Sequence, residues 1–170
     1  NVSESFSMRV AAFDGQVYDF SESNPFNLKW SLSAEEGFLT TTEMILDNNA
    51  GTYKLGGYLH TALEKYGVYL LGEKQLNNIG LFGQVAWAPK SDNDIYSQID
   101  AGINLYHLFF DDREDALGLA FTSNLLKNMV NSHETVIELT YKLPVYGNFY
   151  VQPDFQYVIN PSGTGVKLDD

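Results

Sequence analysis

Three acidic side chains, Glu134, Glu138 and Asp154, lie at even positions of the segment 134–156, and their spacing decides which chemistry they could support. Glu134 and Glu138 could form the carboxylate pair of a glycoside hydrolase, whose two carboxyl groups lie within about 9.5 Å of each other. Four residues of an extended strand span about 13 Å, so the spacing argues against hydrolysis. The alternation with apolar residues instead predicts that these carboxylates share one face of a strand, where they can bind water or a polar solute.

Other catalytic or metal-binding chemistry has little support in the sequence. The chain contains no cysteine, which excludes thiolate ligands and cysteine nucleophiles. His60, His107 and His133 lie in different segments and show no metal-ligand spacing. The acidic run Asp111–Asp115 lacks the ligand alternation of a calcium loop, and we interpret it as a solvated turn. We therefore predict no catalytic residue, no metal, no cofactor and no enzyme activity.

Strand-length segments separated by turn signals must position the polar side chains. Clusters such as Asn48–Gly51, Asn77–Asn78 and Tyr146–Asn148 mark the turns, and the segment Asp14–Glu36 is interpreted as a loop. Many strands at regular spacing predict an antiparallel meander, hence a barrel or a sandwich. The predicted strands are Ser5–Phe13, Phe38–Asp47, Thr52–Thr61, Gly67–Leu76, Gly80–Ala88, Ile95–Leu108, Ala116–Leu126, Glu134–Leu143 and Phe149–Asn160.

Each predicted strand has one apolar and one polar face, which two classes of protein would explain. A soluble β-sandwich would bury the apolar face, whereas a membrane barrel would turn it towards lipid and the polar face towards a water-filled lumen. Aromatic residues near strand ends on the apolar face favour the barrel, because they are typical of an interfacial girdle. These residues are Tyr53, Trp87, Tyr141, Phe149 and Tyr157. The pattern alone leaves both classes open.

Length, charge and hydropathy exclude further classes of protein. The 170 residues are enough for one domain, which we predict over residues 1–170. A net charge of −12 argues against a nucleic-acid partner, since phosphate binding needs a basic surface. No apolar run approaches the roughly 18–20 residues of a transmembrane helix. The first residues, Asn1–Glu4, lack the pattern of a signal peptide.

Several phrases, taken together, resemble the OprB-type family of carbohydrate-selective outer-membrane porins. They are GTYKLGGYLHT, YGVYLLGEKQL, GLFGQVAWAP, DALGLAF, ETVIELTY and VQPDFQYVINPSG, which cover most of Gly51–Gly163. The resemblance implies an all-β, antiparallel transmembrane barrel of about sixteen strands in the parent porin, of which this chain holds about nine. It also implies passive diffusion of sugars such as glucose across the Gram-negative outer membrane, with outer-membrane lipid and neutral sugars as partners. Whether the protein is a homo-oligomer is left open.

A sugar channel needs hydrogen-bonding side chains and aromatic faces that bind weakly, and the strand parity supplies candidates for its wall. Lys74 has the parity of the apolar face, so either its side chain snorkels to the interface or the register slips there. We place most weight on Lys54, Glu73, Asp100, Glu138 and Asp154, which lie well inside their strands. The predicted pore-lining residues are Lys54, Tyr58, Glu73, Gln75, Gln98, Asp100, Glu138, Lys142, Gln152 and Asp154, with Arg9, Glu43, Asn104 and Gln156 on the same parity.

The chain also departs from the family pattern. Nine strands cannot close a single-chain bacterial barrel, and Val166–Asp170 lacks the terminal apolar-aromatic strand of such a protein. We therefore expect the chain to be the C-terminal portion of a longer barrel. Two alternatives are kept: a soluble β-sandwich that binds carbohydrate, and a structural outer-membrane barrel whose interior is filled by side chains.

Overall fold

All the strands lie in one antiparallel meander. The computed structural model describes residues 5–15, 37–89, 94–110, 114–147 and 149–164. The sheet has ten strands, with β1 and β10 at its two edges, so the predicted all-β antiparallel class is confirmed and the sheet is open. Within the described residues, no helix is long and apolar enough to cross a membrane. The strands are β1 (Ser5–Asp14), β2 (Phe38–Asn48), β3 (Gly51–His60), β4 (Lys65–Leu76), β5 (Ile79–Trp87), β6 (Ile95–Tyr106), β7 (Ala116–Leu126), β8 (His133–Tyr146), β9 (Phe149–Val151) and β10 (Asp154–Ile159), and a 3₁₀ turn follows at Pro161–Gly163.

The ninth predicted strand is the one that the structure divides. Gln152 and Pro153 separate β9 from β10, because a proline has no amide hydrogen with which to extend the ladder. Both short strands nevertheless pair with β8, in one register except for a shift between Pro144 and Tyr146. The Pro153 carbonyl still accepts a hydrogen bond from the Tyr141 amide at 3.1 Å. Most of the predicted loop Asp14–Glu36 and the segment Val166–Asp170 lie outside the described residues.

The register gives the sheet two distinct faces. The polar face carries Arg9 opposite Glu43, and the apolar face carries Leu55 opposite Leu70. Ile45 and Leu126 are the only buried apolar side chains among the described residues, so the apolar face has no layer of protein over it. A soluble β-sandwich would instead have a second sheet packed against this face.

The two ends of the sheet differ in the length of their connections. At one end, called the turn end here, tight turns at Asn49–Ala50 and Asn77–Asn78 join β2 to β3 and β4 to β5, and a longer loop joins β6 to β7. The Asn48 side chain accepts the Ala50 amide at 2.8 Å, which closes the first turn. The opposite end carries the longer β1–β2 connection. In outer-membrane barrels the short turns face the periplasm, so we expect the turn end on that side.

Aromatic rings lie across glycines on the polar face. In each case the ring on one strand occupies the space above a glycine on the adjacent strand, where a side chain would otherwise stand. Such pairing restores packing at a residue that has no side chain of its own. The pairs are Tyr58 over Gly67, Tyr69 over Gly56, Phe82 over Gly102, and Tyr106 over Gly80.

The variant Gly102→Ala is expected to lower the free energy of unfolding by about 1–3 kcal/mol, because it overpacks this face. A Cβ atom at residue 102 would overlap the Phe82 ring and lie 2.9 Å from the Leu119 carbonyl oxygen. The matched control is Gly83→Ala on the neighbouring strand, whose Cβ atom would meet only the Asp100 carbonyl oxygen at 3.8 Å. Unfolding of the full-length protein in guanidinium chloride measures both variants. An equal loss of stability in the two would contradict the packing argument.

Candidate functional site

The candidate site is the polar face of the sheet. Cross-strand partners share a face, and the register can be followed from β1 to β10 through successive pairs. It puts the strand residues of the predicted wall on this one face. They are Lys54, Tyr58, Glu73, Gln75, Gln98, Asp100, Glu138, Lys142 and Asp154, and Gln152, between β9 and β10, bonds to Thr140 of the same face.

Two ion pairs and a hydroxyl bond join the first four strands on the polar face. The Lys54 ammonium lies 3.2 Å from a Glu73 carboxylate oxygen, and the Arg9 guanidinium lies 3.5 Å from Glu43. The Tyr69 hydroxyl donates to the second oxygen of Glu43. Both pairs are partly open to solvent, so they hold side-chain positions more than they stabilise the fold.

The carboxylates further along the sheet are bound by amides rather than by bases. Gln98 Nε2 donates to both oxygens of Asp100, at 3.0 and 2.8 Å. Gln156 Nε2 donates to Glu138 at 2.7 Å and lies 3.5 Å from Asp154. Within the described residues neither ion pair includes any of these three acids, so this part of the face is negatively charged.

The predicted residues do not converge on one point. Glu73 and Glu138 occupy the same row across the sheet, but β5, β6 and β7 lie between them, a separation of about 19 Å. Three other predicted residues make local contacts. The Lys142 ammonium lies 5.1 Å from the centre of the Tyr150 ring, Gln75 donates to the Asn77 carbonyl at 2.6 Å, and Gln152 donates to the Thr140 hydroxyl at 3.1 Å. This arrangement is a wall and not a catalytic centre.

Two concave areas on the polar face combine aromatic rings with polar groups. The larger, about 550 Å³, lies at the turn end, and its lining includes Asp47, Glu73, Gln75, Phe82, Asn104 and Tyr106. The smaller, about 180 Å³, lies towards the opposite end, and its lining includes Tyr58, Tyr69, Gln84 and Gln98. Both offer ring faces beside hydrogen-bonding side chains, which is the chemistry that a polyhydroxylated solute requires.

Sequence reasoning missed the three rings that complete these concave areas, namely Tyr69, Phe82 and Tyr106. Apart from Tyr58, the predicted wall consists of charged and amide residues, and these three rings are absent from it. The signal was present, because Tyr69 has the parity of Glu73 within β4, and Tyr106 has the parity of Asn104 within β6. An aromatic residue on the polar parity is therefore a candidate for the wall in its own right.

The interpretation of Asp111–Asp115 as a solvated turn is wrong at Asp115, while residues 111–113 lie outside the described part of the chain. Asp115 has no exposed surface. Its carboxylate accepts the Tyr141 hydroxyl at 2.9 Å and the Phe109 amide at 3.1 Å. Burial raises the pKa of this carboxyl, but the hydrogen bonds lower it by more, so the pKa lies below its ordinary value. Asp115 is therefore a charged anchor for the loop.

A model of the carbohydrate-selective porin, OprB family, matches residues 62–170. The chain belongs to this porin family. The high-pH structure of Pseudomonas putida OprB is similar in fold, with a TM-score of 0.82 at 18% identity over 96% of this chain and 53% of that one. This OprB-family chain thus spans about half the length of that neighbour. No curated protein sequence matches it.

Family membership confirms the predicted resemblance and the barrel class. It places the chain in the outer membrane of Gram-negative bacteria. The matching family is one of carbohydrate-selective porins, and the fold is similar to that of a porin. Among the residues that the structure describes, no group of three or more histidines or acids could hold a metal ion. The sixteen strands of the parent barrel stay a prediction.

Proposed function

We propose that the full-length protein lets neutral sugars such as glucose diffuse passively across the outer membrane, and that the polar face of this chain forms part of its channel wall. The ten predicted residues are pore-lining in this proposal, and no catalytic step is involved. The observation that carries it is the concave area at the turn end, where Phe82 and Tyr106 lie beside Glu73, Gln75 and Asn104. Membership of the family supports the same solute class.

The chemistry of the two concave areas suits weak, repeated binding of a sugar. The rings that cover glycines stay partly exposed, so they offer apolar surface to the C–H groups of a sugar. Carboxylates and amides beside the ring accept and donate to hydroxyl groups. Since both areas are shallow and open to water, a sugar can leave one as readily as it enters it, which conduction requires.

Liposome swelling with the full-length protein tests the proposal by comparing sugars with amino acids of similar size. We expect sugars to enter faster. The variant Asn104→Leu removes one donor and one acceptor from the larger concave area and should slow sugar entry about threefold, with little effect on amino acids. The control is Thr122→Val, which lies on the same face and lines neither concave area.

Each other outcome would overturn part of the proposal. Equal rates for sugars and size-matched amino acids would leave a general porin without carbohydrate selectivity. No swelling, in protein shown to be inserted by its heat-modifiable migration on gels, would favour the structural barrel filled by side chains. Whether the protein acts as a homo-oligomer is measured separately, from its mass in detergent.

A further inference from the structure

One basic side chain interrupts the apolar face of the sheet. Lys74 pairs with Leu81, and the β4–β5 register runs without a break from Val68 to Leu76, which excludes the register slip considered above. Among the described strands, no other lysine or arginine lies on the apolar face. A lysine directed towards lipid is costly unless its ammonium reaches the polar boundary of the bilayer.

The ammonium of Lys74 does lie at the boundary. Its Nζ atom donates to the Asn49 carbonyl at 3.2 Å, in the tight turn between β2 and β3. Neither ion pair within the described residues includes Lys74, since its neighbour Glu73 faces the other way and binds Lys54. A positive charge with hydrogen-bonding capacity to spare is therefore placed at the turn end of the lipid-facing surface.

A groove of about 310 Å³ runs beside Lys74 on the same surface. Gly72 and Gly83 pair directly across β4 and β5, and with Tyr53 and Leu81 they line this groove. The covered glycines of the polar face have a ring above them, but a Cβ atom at Gly83 would meet only a backbone oxygen at 3.8 Å. At Gly72 the Tyr53 ring lies 3.5 Å from where a Cβ atom would stand, so Gly83 is the glycine that leaves the groove open, with the Tyr53 ring beside it.

We propose that this groove binds an anionic phospholipid, with its phosphate on the Lys74 ammonium and part of an acyl chain over Gly83, against Tyr53 and Leu81. The bilayer supplies acyl chains at this surface, and a phosphate provides the charge that Lys74 lacks among its neighbours. A lipid phosphate lies at the polar boundary of the bilayer, and its acyl chain extends into the apolar layer. The Lys74 ammonium has the matching position, because it lies at the end of the groove nearest the turns. The lipid would come from the periplasmic leaflet, which the tight turns face.

Native mass spectrometry of the full-length porin, titrated with phosphatidylglycerol in detergent, tests this proposal. We expect Lys74→Gln to weaken retention of phosphatidylglycerol about fivefold, which is the contribution of one lysine near a lipid surface. Gly83→Leu fills the groove without touching the charge and should also reduce the bound lipid. The matched control is Lys65→Gln, which makes the same change at the opposite end of the same strand, on the polar face.

Three results would overturn the proposal. The first is unchanged retention of phosphatidylglycerol in Lys74→Gln. The second is full displacement of the lipid by inorganic phosphate at an equal concentration, which would indicate an anion site without an acyl chain. The third is a change of oligomeric mass in Gly83→Leu with lipid binding intact, because the groove would then hold a second copy of the chain. None of these measurements depends on which solute the channel passes.

Discussion

Replacement of Lys54 by glutamate is expected to shift the ion selectivity of the full-length porin towards cations by about fivefold or more. Lys54 neutralises Glu73 at 3.2 Å, on a face where Asp100, Glu138 and Asp154 have amide partners and, among the described residues, form no ion pair. The substitution changes the local charge by two units, and it leaves two carboxylates facing each other. Reversal potentials in planar bilayers under a potassium chloride gradient measure the effect.

The control for this prediction is the double variant Lys54→Glu with Glu73→Lys, which exchanges the two charges and keeps their sum. If net charge along the wall controls selectivity, the exchange returns the reversal potential to that of the natural protein. The shift should also shrink as the salt concentration rises from 0.1 to 1 M, because the screening length falls from about 10 to about 3 Å. A shift that persists in the exchanged variant would contradict the charge argument and point to a change in pore shape.

Loss of the Asp115 carboxylate is expected to have the largest effect on stability. The variant Asp115→Ala leaves the Tyr141 hydroxyl and the Phe109 amide without their buried acceptor. These two residues are also in ring contact, which the shared carboxylate helps to hold in place. We expect the full-length protein to unfold several degrees lower than the natural protein, as read from heat-modifiable migration on gels. The control is Glu114→Gln, an adjacent acid whose side chain is exposed.

The same carboxylate should make stability depend on pH. Because the pKa of Asp115 is lowered in the folded protein, its ionised form contributes stability that is fully present above the pKa of an unfolded aspartate, about 3.9. That contribution disappears as the pH falls through the lower pKa of the folded state. The variant Asp115→Asn should lack this decline below about pH 4, whereas Glu114→Gln should retain it. Parallel declines in both variants would show that other acids cause the loss.

The strand pattern could be predicted from the sequence because each β-strand alternates its side chains strictly between two faces. Glu138 and Lys142 differ from their neighbours Ile137 and Leu139 in polarity, and this difference marks the face without any knowledge of partners. Turn residues with a left-handed preference, such as Asn77 with φ of 50°, mark the hairpins in the same local way. Eight of the nine predicted strands therefore agree with observed strands to within a few residues at each end.

Features that depend on a neighbouring strand were beyond the reach of the sequence. Tyr69 and Phe82 look like ordinary strand residues until the register sets each ring over a glycine of another strand. Asp115 belongs to an acidic run that the sequence predicts to be solvated, and only the contacts of its carboxylate with Phe109 and Tyr141 show that it is buried. The sequence shows only that Lys74 has the parity of the apolar face. The Asn49 carbonyl that accepts a hydrogen bond from its ammonium lies 25 residues earlier in the chain.

The sequence by itself determined the class of this protein: alternation, turn residues and family-like phrases lead to a porin wall with one lipid-facing and one polar side. The tertiary structure alone decided which polar groups pair, which rings are placed beside them, and where a groove and a buried charge occur. The physical reason is that alternation is a property of a single strand, whereas ion pairs, covered glycines and buried carboxylates are properties of the register between strands.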